Sequence, residues 1–563
     1  MTSLAAGLVY ALCTALAFEP FGLWPLTFIA VLPLGWLADR VARSEVKPRA
    51  AGLFAMLGAL PWWIWATHWT AVVSTLGFIP LPIYLSLYAG LFVWLGARFV
   101  RARPGLPALV WLPVLWVGLE WLRGTVVMHG YPWYFAAHPL VDGPAGLFTW
   151  PARAVGAIGV SVLAVVPAAL AIDALSRRRV SIGVAGVVTI AWIGFGLTAG
   201  GGAASGETTK IAVIQTNVPQ SARMGWPKAQ RFRDWVDMRA LLAEAVDESP
   251  DLIVFPEGLF PGDEIEPDAV AIQRDTPGAW DLRDDSGAAP EGWPEYIPWT
   301  LVHDAWMGDS EDLGIPMIVG GAGRDGAFLE EFPNGGIRIS SERSYNSVFV
   351  IDDGAVRARY DKLFLVPFGE RMPYVERWPW LQDKLLAFAA RGMRFILSAG
   401  DDEVVFEIPG VGGVATPICF EAAVSRVPRK LVFSDGERSA EVMVNITNDG
   451  WFGSFDAGRR HHLQLARWRC VELATPMARS ANTGVSALVD AWGREIAVLP
   501  AREEGVLTRD LVRGVGVPMY ATIGDAVGWI ALVGAGVLTV IGRGRRPDLD
   551  EAPEDDEDDE CAD

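Results

Sequence analysis

The chain has 563 residues, of which 51% are hydrophobic, and it contains 25 tryptophans. This composition and a positive mean hydropathy exclude an ordinary soluble protein and indicate membrane-spanning segments. The formal net charge of −19 overstates the acidity of most of the chain, because eleven carboxylates and no lysine or arginine lie in residues 548–563.

Eight apolar segments have the length of about 20 residues that a helix needs to cross a bilayer. The first ends in Ala15-Leu16-Ala17, which resembles a signal-peptidase site, and Pro20 follows it. Because no lysine or arginine precedes this segment, a retained helix is favoured over a cleaved leader. The eight segments lie near residues 3–19, 22–40, 50–70, 78–98, 105–122, 155–174, 180–199 and 521–542.

Lysine and arginine cluster in every second connection between these segments, at residues 40–49, 98–103 and 177–179, and again after the last, at 543–546. Cationic loops stay in the cytoplasm, so this alternation predicts cytoplasmic termini and places the polar region between the seventh and eighth segments outside. The last residues read as a solvated end, with a docking tail as the less favoured alternative. The predicted parts are a seven-span membrane domain at 1–205, an extracytoplasmic domain at 206–515, an eighth helix at 516–545 and an acidic, disordered cytoplasmic tail at 546–563.

The loop Gly130-Tyr131-Pro132-Trp133-Tyr134 falls on the same predicted side as the polar region. Its aromatic residues either anchor the chain at the membrane surface or line an entry path for a lipid. Both interpretations stay open from the sequence.

The polar region alternates short apolar strands with stretches of helical spacing, of which 230–246 is the clearest helix. Buried strands with intervening helices favour an α/β layered domain. Residues 262–312 and 375–400 are rich in Trp, Pro and Asp and are interpreted as insertions. Strands are predicted at 211–215, 252–255, 317–320, 347–351, 413–417 and 441–446.

Three residues of this region have the types and contexts that a thiol-based acyl-transfer site needs. Cys419 follows a predicted strand and precedes a helical turn, whose N-terminus would lower the pKa of the thiol. Glu257 also ends a strand, where a carboxylate beside a thiol can accept its proton. Lys362 would favour the thiolate and stabilise the oxyanion of an attacked ester. Taken singly, each residue is also compatible with a structural cysteine, a loop charge or a solvated lysine.

Two further carboxylates and two aromatics follow the same segments. Glu370 and Glu421 would orient the lysine or the incoming nucleophile. A buried carboxylate without a partner is costly, so each of the two is expected to pair with another group. Trp451 and Phe452 either shape a lipid pocket or pack in the core. A disulfide between Cys419 and Cys470 is the less favoured alternative to a working thiol.

In order and local context, the three residues resemble the Glu-Lys-Cys triad of the nitrilase, or carbon–nitrogen hydrolase, superfamily. Within it they are most similar to the apolipoprotein N-acyltransferases, and the similar segments cover nearly the whole chain. Those segments lie at residues 17–22, 24–26, 130–133, 215–220, 448–453, 464–467, 479–484 and 490–493.

The resemblance implies a multi-pass α-helical membrane domain of about eight spans and an extracytoplasmic α-β-β-α sandwich in the bacterial inner membrane. It implies Glu257 as general base, Lys362 as oxyanion stabiliser and Cys419 as nucleophile, supported by Glu370 and Glu421. A phospholipid would donate an acyl chain to Cys419 as a thioester, and the α-amine of a diacylglyceryl-cysteine on an apolipoprotein would accept it. No cofactor is implied, and a monomer is expected.

Three positions depart from the family pattern, and all lie around the triad rather than in it. Met224 stands where a tryptophan is frequent, Phe420 where a tyrosine can follow the cysteine, and Cys470 where a small residue is usual. These departures leave substrate preference open. The candidate substrate-binding aromatics are Trp226, Phe368, Phe420, Trp451 and Phe452.

Two other functions are compatible with the sequence. A membrane-tethered amidase acting on a small substrate is the alternative enzyme, and a binding or transport protein is the alternative class. The spans carry few charges, so a polar transport path is not evident. His461 and His462 are adjacent, which is poor geometry for one metal, and no basic surface with interleaved aromatics predicts nucleic acid binding.

Overall fold

A computed structural model gives the structure of the chain. It describes residues 2–73, 75–144, 146–176, 180–199, 206–219, 228–258, 265–276, 278–283, 287–331, 337–378, 380–382, 384 and 397–543. The predicted tail at 546–563 and the predicted domain boundary at residue 205 lie outside these ranges.

The N-terminal part is a bundle of apolar helices. Within the described residues, five helical stretches are long and apolar enough to cross a membrane, namely Trp24–Ala42, Pro48–Thr67, Pro80–Ala102, Ala108–His129 and Ala152–Leu175. Helices also lie where the other three spans are predicted, at Ser3–Ala17, Val180–Ala199 and Ala526–Ile541. Since the first and last of these have only 15 and 16 residues, the count of eight spans stays a prediction. Shorter helices lie at Thr70–Val73, Thr75–Phe78, His138–Asp142 and Met519–Ile523.

Small residues set the closest approach in this bundle. The first helix lies against Pro48–Thr67 at Gly7 and Gly58, and a Cβ on Gly7 would come within 2.2 Å of the Ala55 carbonyl oxygen. Glycine is therefore required at both positions. Such close approach matters because apolar helices in a bilayer associate by close packing rather than by excluding water.

The polar region folds around two six-stranded sheets. The first has the order β16-β1-β2-β5-β6-β7 and the second the order β15-β14-β13-β12-β9-β8. The strands are β1 Thr208–Gln215, β2 Leu252–Val254, β3 Ala279–Asp281, β4 Tyr296–Pro298, β5 Met317–Glu331, β6 Ile337–Asp352, β7 Ala355–Asp361, β8 Val405–Ile408, β9 Gly412–Ala415, β10 Phe433–Ser434, β11 Glu437–Arg438, β12 Val442–Thr447, β13 Met477–Ala481, β14 Ser486–Val489, β15 Glu495–Leu499 and β16 Gly505–Val512.

Alternation along β1 shows how the layers stack. Ile211 and Val213 join one buried cluster with residues of β12 and β13, which belong to the second sheet. Ala212 and Ile214 point the other way and pack with the helix Lys228–Asp247. Because successive strand residues face opposite sides, the sheets pack face to face with helices outside them. The helices of the domain are Lys228–Asp247, Pro267–Asp275, Leu301–Leu313, Arg426–Val432 and Asp456–Leu473.

The predicted strands are all present, although β1 begins three residues earlier than predicted and two others are much longer. β5 and β6 form an extended hairpin that continues well past residues 317–320 and 347–351, because paired strands tolerate the Gly and charged residues that end an apolar run. The first predicted insertion, at 262–312, contains two helices and the β3–β4 hairpin.

The loop at residues 130–134 packs between the membrane helices and the helix Asp456–Leu473 of the polar region. Trp133 and Tyr134 are only 4% and 7% exposed. The Tyr134 ring stacks on His461 with centroids 4.2 Å apart, and its backbone N–H donates to His461 Nε2 at 3.1 Å. An anchor at the membrane surface does not describe these two rings, whereas a lipid entry path along the loop stays a prediction. The structure buries Trp133 and Tyr134 between the two domains, where desolvated aromatic contacts hold the domains together.

Candidate active site

Glu257 lies just beyond the end of β2, as predicted, and its carboxylate is held at both oxygens. Asn346 Nδ2 donates to Oε1 at 2.7 Å, and the Asn448 backbone N–H donates to Oε2 at 2.7 Å. The residue is 7% exposed. Two donors from opposite sheets therefore fix the direction in which this carboxylate faces.

Lys362 follows β7 and is completely buried. Its Nζ donates to Glu370 Oε1 at 2.8 Å and lies 3.9 Å from Glu257 Oε1. Burial alone lowers the pKa of this amine, but the Glu370 and Glu257 charges outweigh it and raise the pKa above its ordinary value. Lys362 is therefore a permanently charged ammonium held between two carboxylates, which is the state an oxyanion stabiliser needs.

Cys419 lies four residues after β9, at the first position of a single 3₁₀ turn, Cys419–Ala423. Its φ of +50° is in the left-handed region, which a non-glycine residue adopts only where the surroundings enforce it. The thiol is close enough to Glu257 and Lys362 for both charges to act on it. The sequence-predicted strand and turn thus bring all three candidate residues to one place.

The prediction that the helical turn lowers the pKa of the Cys419 thiol is wrong. Burial and then the Glu257 charge raise the pKa of the thiol, and Lys362 lowers it by less. A five-residue 3₁₀ turn has little dipole to offset desolvation. The raised pKa favours the protonated thiol, so a nucleophilic attack by its sulfur would need a base.

Glu421 connects the segments that carry Lys362 and Cys419. It is fully buried and accepts four hydrogen bonds. Donors from both segments on one carboxylate fix the distance between the two segments. The donors are the Leu363 N–H at 2.7 Å, the Phe364 N–H at 2.9 Å, the Tyr360 hydroxyl at 3.0 Å and the Ile418 N–H at 2.8 Å.

Glu370 is held in a similar way from its own loop. While Oε1 accepts from Lys362, Oε2 accepts from the Val366 backbone N–H at 2.8 Å. The predicted supporting positions of Glu370 and Glu421 thus differ, since Glu370 contacts the ammonium directly and Glu421 acts on the backbone around it.

Sequence reasoning missed a buried polar network next to the Cys419 segment. Arg479 donates to Asp449 Oδ2 at 3.0 Å and also to Asn445 Oδ1, and Asn445 Nδ2 donates to the Pro417 carbonyl at 2.7 Å. Asp449 Oδ1 lies 2.8 Å from His462 Nδ1. The motif around Asn448 and Asp449 was recognised, but its link to the loop before Cys419 depends on strand order.

The predicted substrate-binding aromatics do not form one group. Phe420 is buried and stacks on Phe364 with centroids 6.1 Å apart. Phe452 is buried against Trp69, which follows a membrane helix, and the centroids of the two rings lie 4.7 Å apart. Phe368 is half exposed, Trp451 is partly buried and Trp226 lies outside the described residues. Phe452 therefore packs between the domains, and Phe368 has the most exposed side chain of the four candidates that the structure describes.

Cys419 and Cys470 are both free thiols. The alternative of a disulfide between them is therefore wrong. Cys470 is fully buried in the helix Asp456–Leu473, where its Sγ lies 3.8 Å from the Ala466 carbonyl oxygen. It is a packing residue of that helix.

The opposed effects of Glu257 and Lys362 on the thiol give a pH prediction. In Glu257→Gln the charge that raises the Cys419 pKa is lost, so the profile of iodoacetamide alkylation against pH should move to lower pH. In Lys362→Met the charge that lowers it is lost, so the profile should move to higher pH. Alkylation of the Cys419 peptide is followed by mass spectrometry, and shifts in the same direction for both variants would contradict the geometry.

Comparison with known proteins covers both parts of the chain. The family model for the apolipoprotein N-acyltransferase N-terminal domain matches residues 10–170, and the carbon-nitrogen hydrolase model matches residues 210–517. An apolipoprotein N-acyltransferase of Bordetella bronchiseptica is 30% identical over 96% of this chain and 96% of its own length. One of Rhodopseudomonas palustris is 29% identical over 95% of this chain and 94% of its own.

Among solved structures, an amidase from Nesterenkonia is 16% identical, covers 55% of this chain and 92% of its own, and has a TM-score of 0.35. That score is too low to bear on the fold. The family models supply the assignment of the nitrilase-like domain, and the relatives match over nearly their whole length.

Proposed function

Since this chain belongs to the apolipoprotein N-acyltransferase family and is an acyltransferase, we propose that Cys419 carries the acyl group. It takes an acyl chain from a phospholipid as a thioester and passes it to the α-amine of a diacylglyceryl-cysteine on an apolipoprotein. The observation that carries the proposal is the buried Lys362 ammonium held between Glu257 and Glu370 beside a protonated, buried thiol. Each member of that group has a step to perform.

In the first half-reaction, Glu257 takes the Cys419 proton as sulfur attacks the ester carbonyl of the phospholipid. The negative charge that develops on the carbonyl oxygen is stabilised by Lys362. The intermediate collapses with loss of the lysophospholipid oxygen, to which Glu257 returns the proton. The products are a Cys419 thioester and a lysophospholipid, and the raised thiol pKa makes the base necessary.

In the second half-reaction, the acceptor amine attacks the thioester carbonyl. Glu257 removes a proton from the attacking nitrogen and returns it to the departing sulfur, while Lys362 again faces the oxyanion. The product is an amide and the free thiol returns. Burial of Cys419 and Lys362 supports transfer to an amine over hydrolysis, because little water reaches the thioester.

The two supporting carboxylates have different proposed tasks. Glu370 keeps the Lys362 ammonium charged and aimed, through the 2.8 Å bond to its Nζ. Glu421 holds the lysine and cysteine segments in register through its four hydrogen bonds. Both act on the reacting groups without touching the substrate.

A hydrolase acting on a small amide is the alternative, and the fate of the acyl group separates the two. Purified enzyme is loaded with acyl-labelled phospholipid, freed of excess lipid and chased with a diacylglyceryl-cysteine peptide or with buffer. We expect a hydroxylamine-sensitive label on Cys419 that persists in buffer and moves to the peptide amine. Loss of the label to free fatty acid at the same rate with and without peptide would instead support the hydrolase.

We further propose that the catalytic domain faces outward from the inner membrane, with eight spans and the boundaries 1–205, 206–515, 516–545 and 546–563. The alternation of cationic loops and a helix at every predicted span support it. Single cysteines introduced at exposed Arg103 and Arg357 should label from opposite sides of the membrane with an impermeant maleimide. Labelling of both positions from one side would contradict this topology.

A further inference from the structure

A cationic cavity lies at the end of the helix bundle farthest from the active site. It has a volume of about 440 Å³ and is lined by the ends of three membrane helices. Its lining includes five cations, Lys47, Arg49, Arg98, Arg101 and Arg543, together with Trp94, and the described residues that line it include no carboxylate. We call these six residues the cationic pocket.

The pocket is separated from the active site by the thickness of a bilayer. Its helix Pro48–Thr67 has 20 residues and spans about 30 Å at 1.5 Å per residue. At the far end of that helix, Trp65 and His68 pack on Phe455 of the catalytic domain. The cationic pocket therefore lies at the opposite membrane face from Cys419 and takes no part in the acyl transfer.

Side chains of the pocket are arranged around one indole. The guanidinium groups of Arg49 and Arg98 lie 5.5 and 5.8 Å from the Trp94 ring. Arg98 also donates to the Gly542 carbonyl at 3.2 Å, which ties the last helix to the pocket. Two cations gathered on one ring repel each other, and an anion between them would remove that repulsion.

The backbone adds to the positive field. The helix Pro48–Thr67 begins at the pocket, and no side chain caps its first turn. The free N–H groups and positive dipole end of a helix favour an anion at this position. Charge, aromatic scaffold and helix end thus point to the same ligand chemistry, a phosphate group.

The exposed side chains next to the pocket indicate which kind of molecule carries that phosphate. One helical turn inward from Arg49 lie Leu53 and then Leu57, 54% and 41% exposed, and Val540 near Arg543 is 63% exposed. Apolar side chains directly below a cation cluster fit acyl chains below a headgroup. We propose that the cationic pocket binds the phosphate of an anionic glycerophospholipid from the leaflet opposite the catalytic domain.

The proposal is tested on the delipidated full-length protein in neutral detergent by native mass spectrometry. Dioleoyl phosphatidylglycerol is compared with dioleoyl phosphatidylcholine and with inorganic phosphate as a competitor. We expect phosphatidylglycerol to bind wild type preferentially, and the double variant Arg49→Gln/Arg543→Gln to weaken that binding about thirtyfold. Inorganic phosphate at the same concentration should not displace the lipid.

A matched control removes two exposed cations of the same membrane face outside the pocket, in Arg40→Gln/Arg103→Gln. Its binding should equal that of wild type. Equal losses in both double variants, equal binding of phosphatidylcholine, or displacement by inorganic phosphate would overturn the proposal. Binding that appears only after deletion of residues 548–563 would assign the pocket to the chain's own acidic end and also overturn it.

A second variant, Trp94→Leu, keeps every charge and removes the ring on which Arg49 and Arg98 lie. We expect it to weaken phosphatidylglycerol binding by a smaller factor than the double variant. Thermal unfolding without lipid checks that each variant is folded. Thioester formation on Cys419 in detergent should be unchanged in all of them, which keeps this test independent of the proposed function.

Discussion

Cys419→Ala should abolish thioester formation and lower acyl transfer by about 10⁴-fold or more, since the variant lacks the thiol on which the charges of Glu257 and Lys362 act. The protein should still fold, because a small side chain replaces a small one in a site ordered mainly by Glu421 and Lys362. Transfer of label from phospholipid to a diacylglyceryl-cysteine peptide measures the rate.

The matched control is Cys470→Ala, which removes the other buried thiol of the domain. Its Sγ lies 3.8 Å from the Ala466 carbonyl oxygen, and its side chain belongs to a buried apolar cluster. We expect near-normal transfer and a destabilisation of about 1 kcal/mol from the lost buried volume. A Cys419→Ala enzyme that transfers acyl chains at the Cys470→Ala rate would refute the assignment of the nucleophile.

Lys362→Met should lower transfer by about 10²- to 10³-fold and destabilise the protein by about 3–5 kcal/mol. Both effects have one cause, since the variant leaves the Glu257 and Glu370 carboxylates facing each other in a buried site without the ammonium between them. Stability is measured by chemical denaturation in detergent, and activity by the same transfer assay.

A second substitution separates the two effects. Adding Glu370→Gln to Lys362→Met removes one of the unpaired charges, so stability should recover in part while transfer stays low. The surface control is Lys430→Met, whose partner Glu403 is 42% exposed. Exposed pairs contribute about 0–1 kcal/mol, and a control as destabilised as Lys362→Met would contradict the central role of burial.

The helices, strands and reactive residues were largely predictable. Apolar runs and their spacing report local burial, so the strands ending near Glu257 and Cys419 and the helix at 230–246 were found from the chain alone. Reactive residue types after those strands then indicated a site, although β2 and β9 belong to different sheets and meet only through the packing of the two sheets.

Partners from distant segments were not predictable. Glu257 receives hydrogen bonds from Asn346 and from the backbone of Asn448, which lies 191 residues away. No periodicity connects them, because their meeting depends on how the two sheets are ordered and packed. The same holds for Arg479, whose bonds to Asp449 and Asn445 cross neighbouring strands.

The sequence by itself determined the residue types of the chemistry, the family and the alternation of membrane and polar segments. Only the tertiary structure decided the protonation of Cys419, the pairing of Lys362 and the burial of Trp133 and Tyr134 between the domains. A pattern along the chain reports whether a side chain is apolar and how often it recurs. A pKa or an ion pair depends on which charges lie within a few ångströms and how much water is excluded, and both are set by packing.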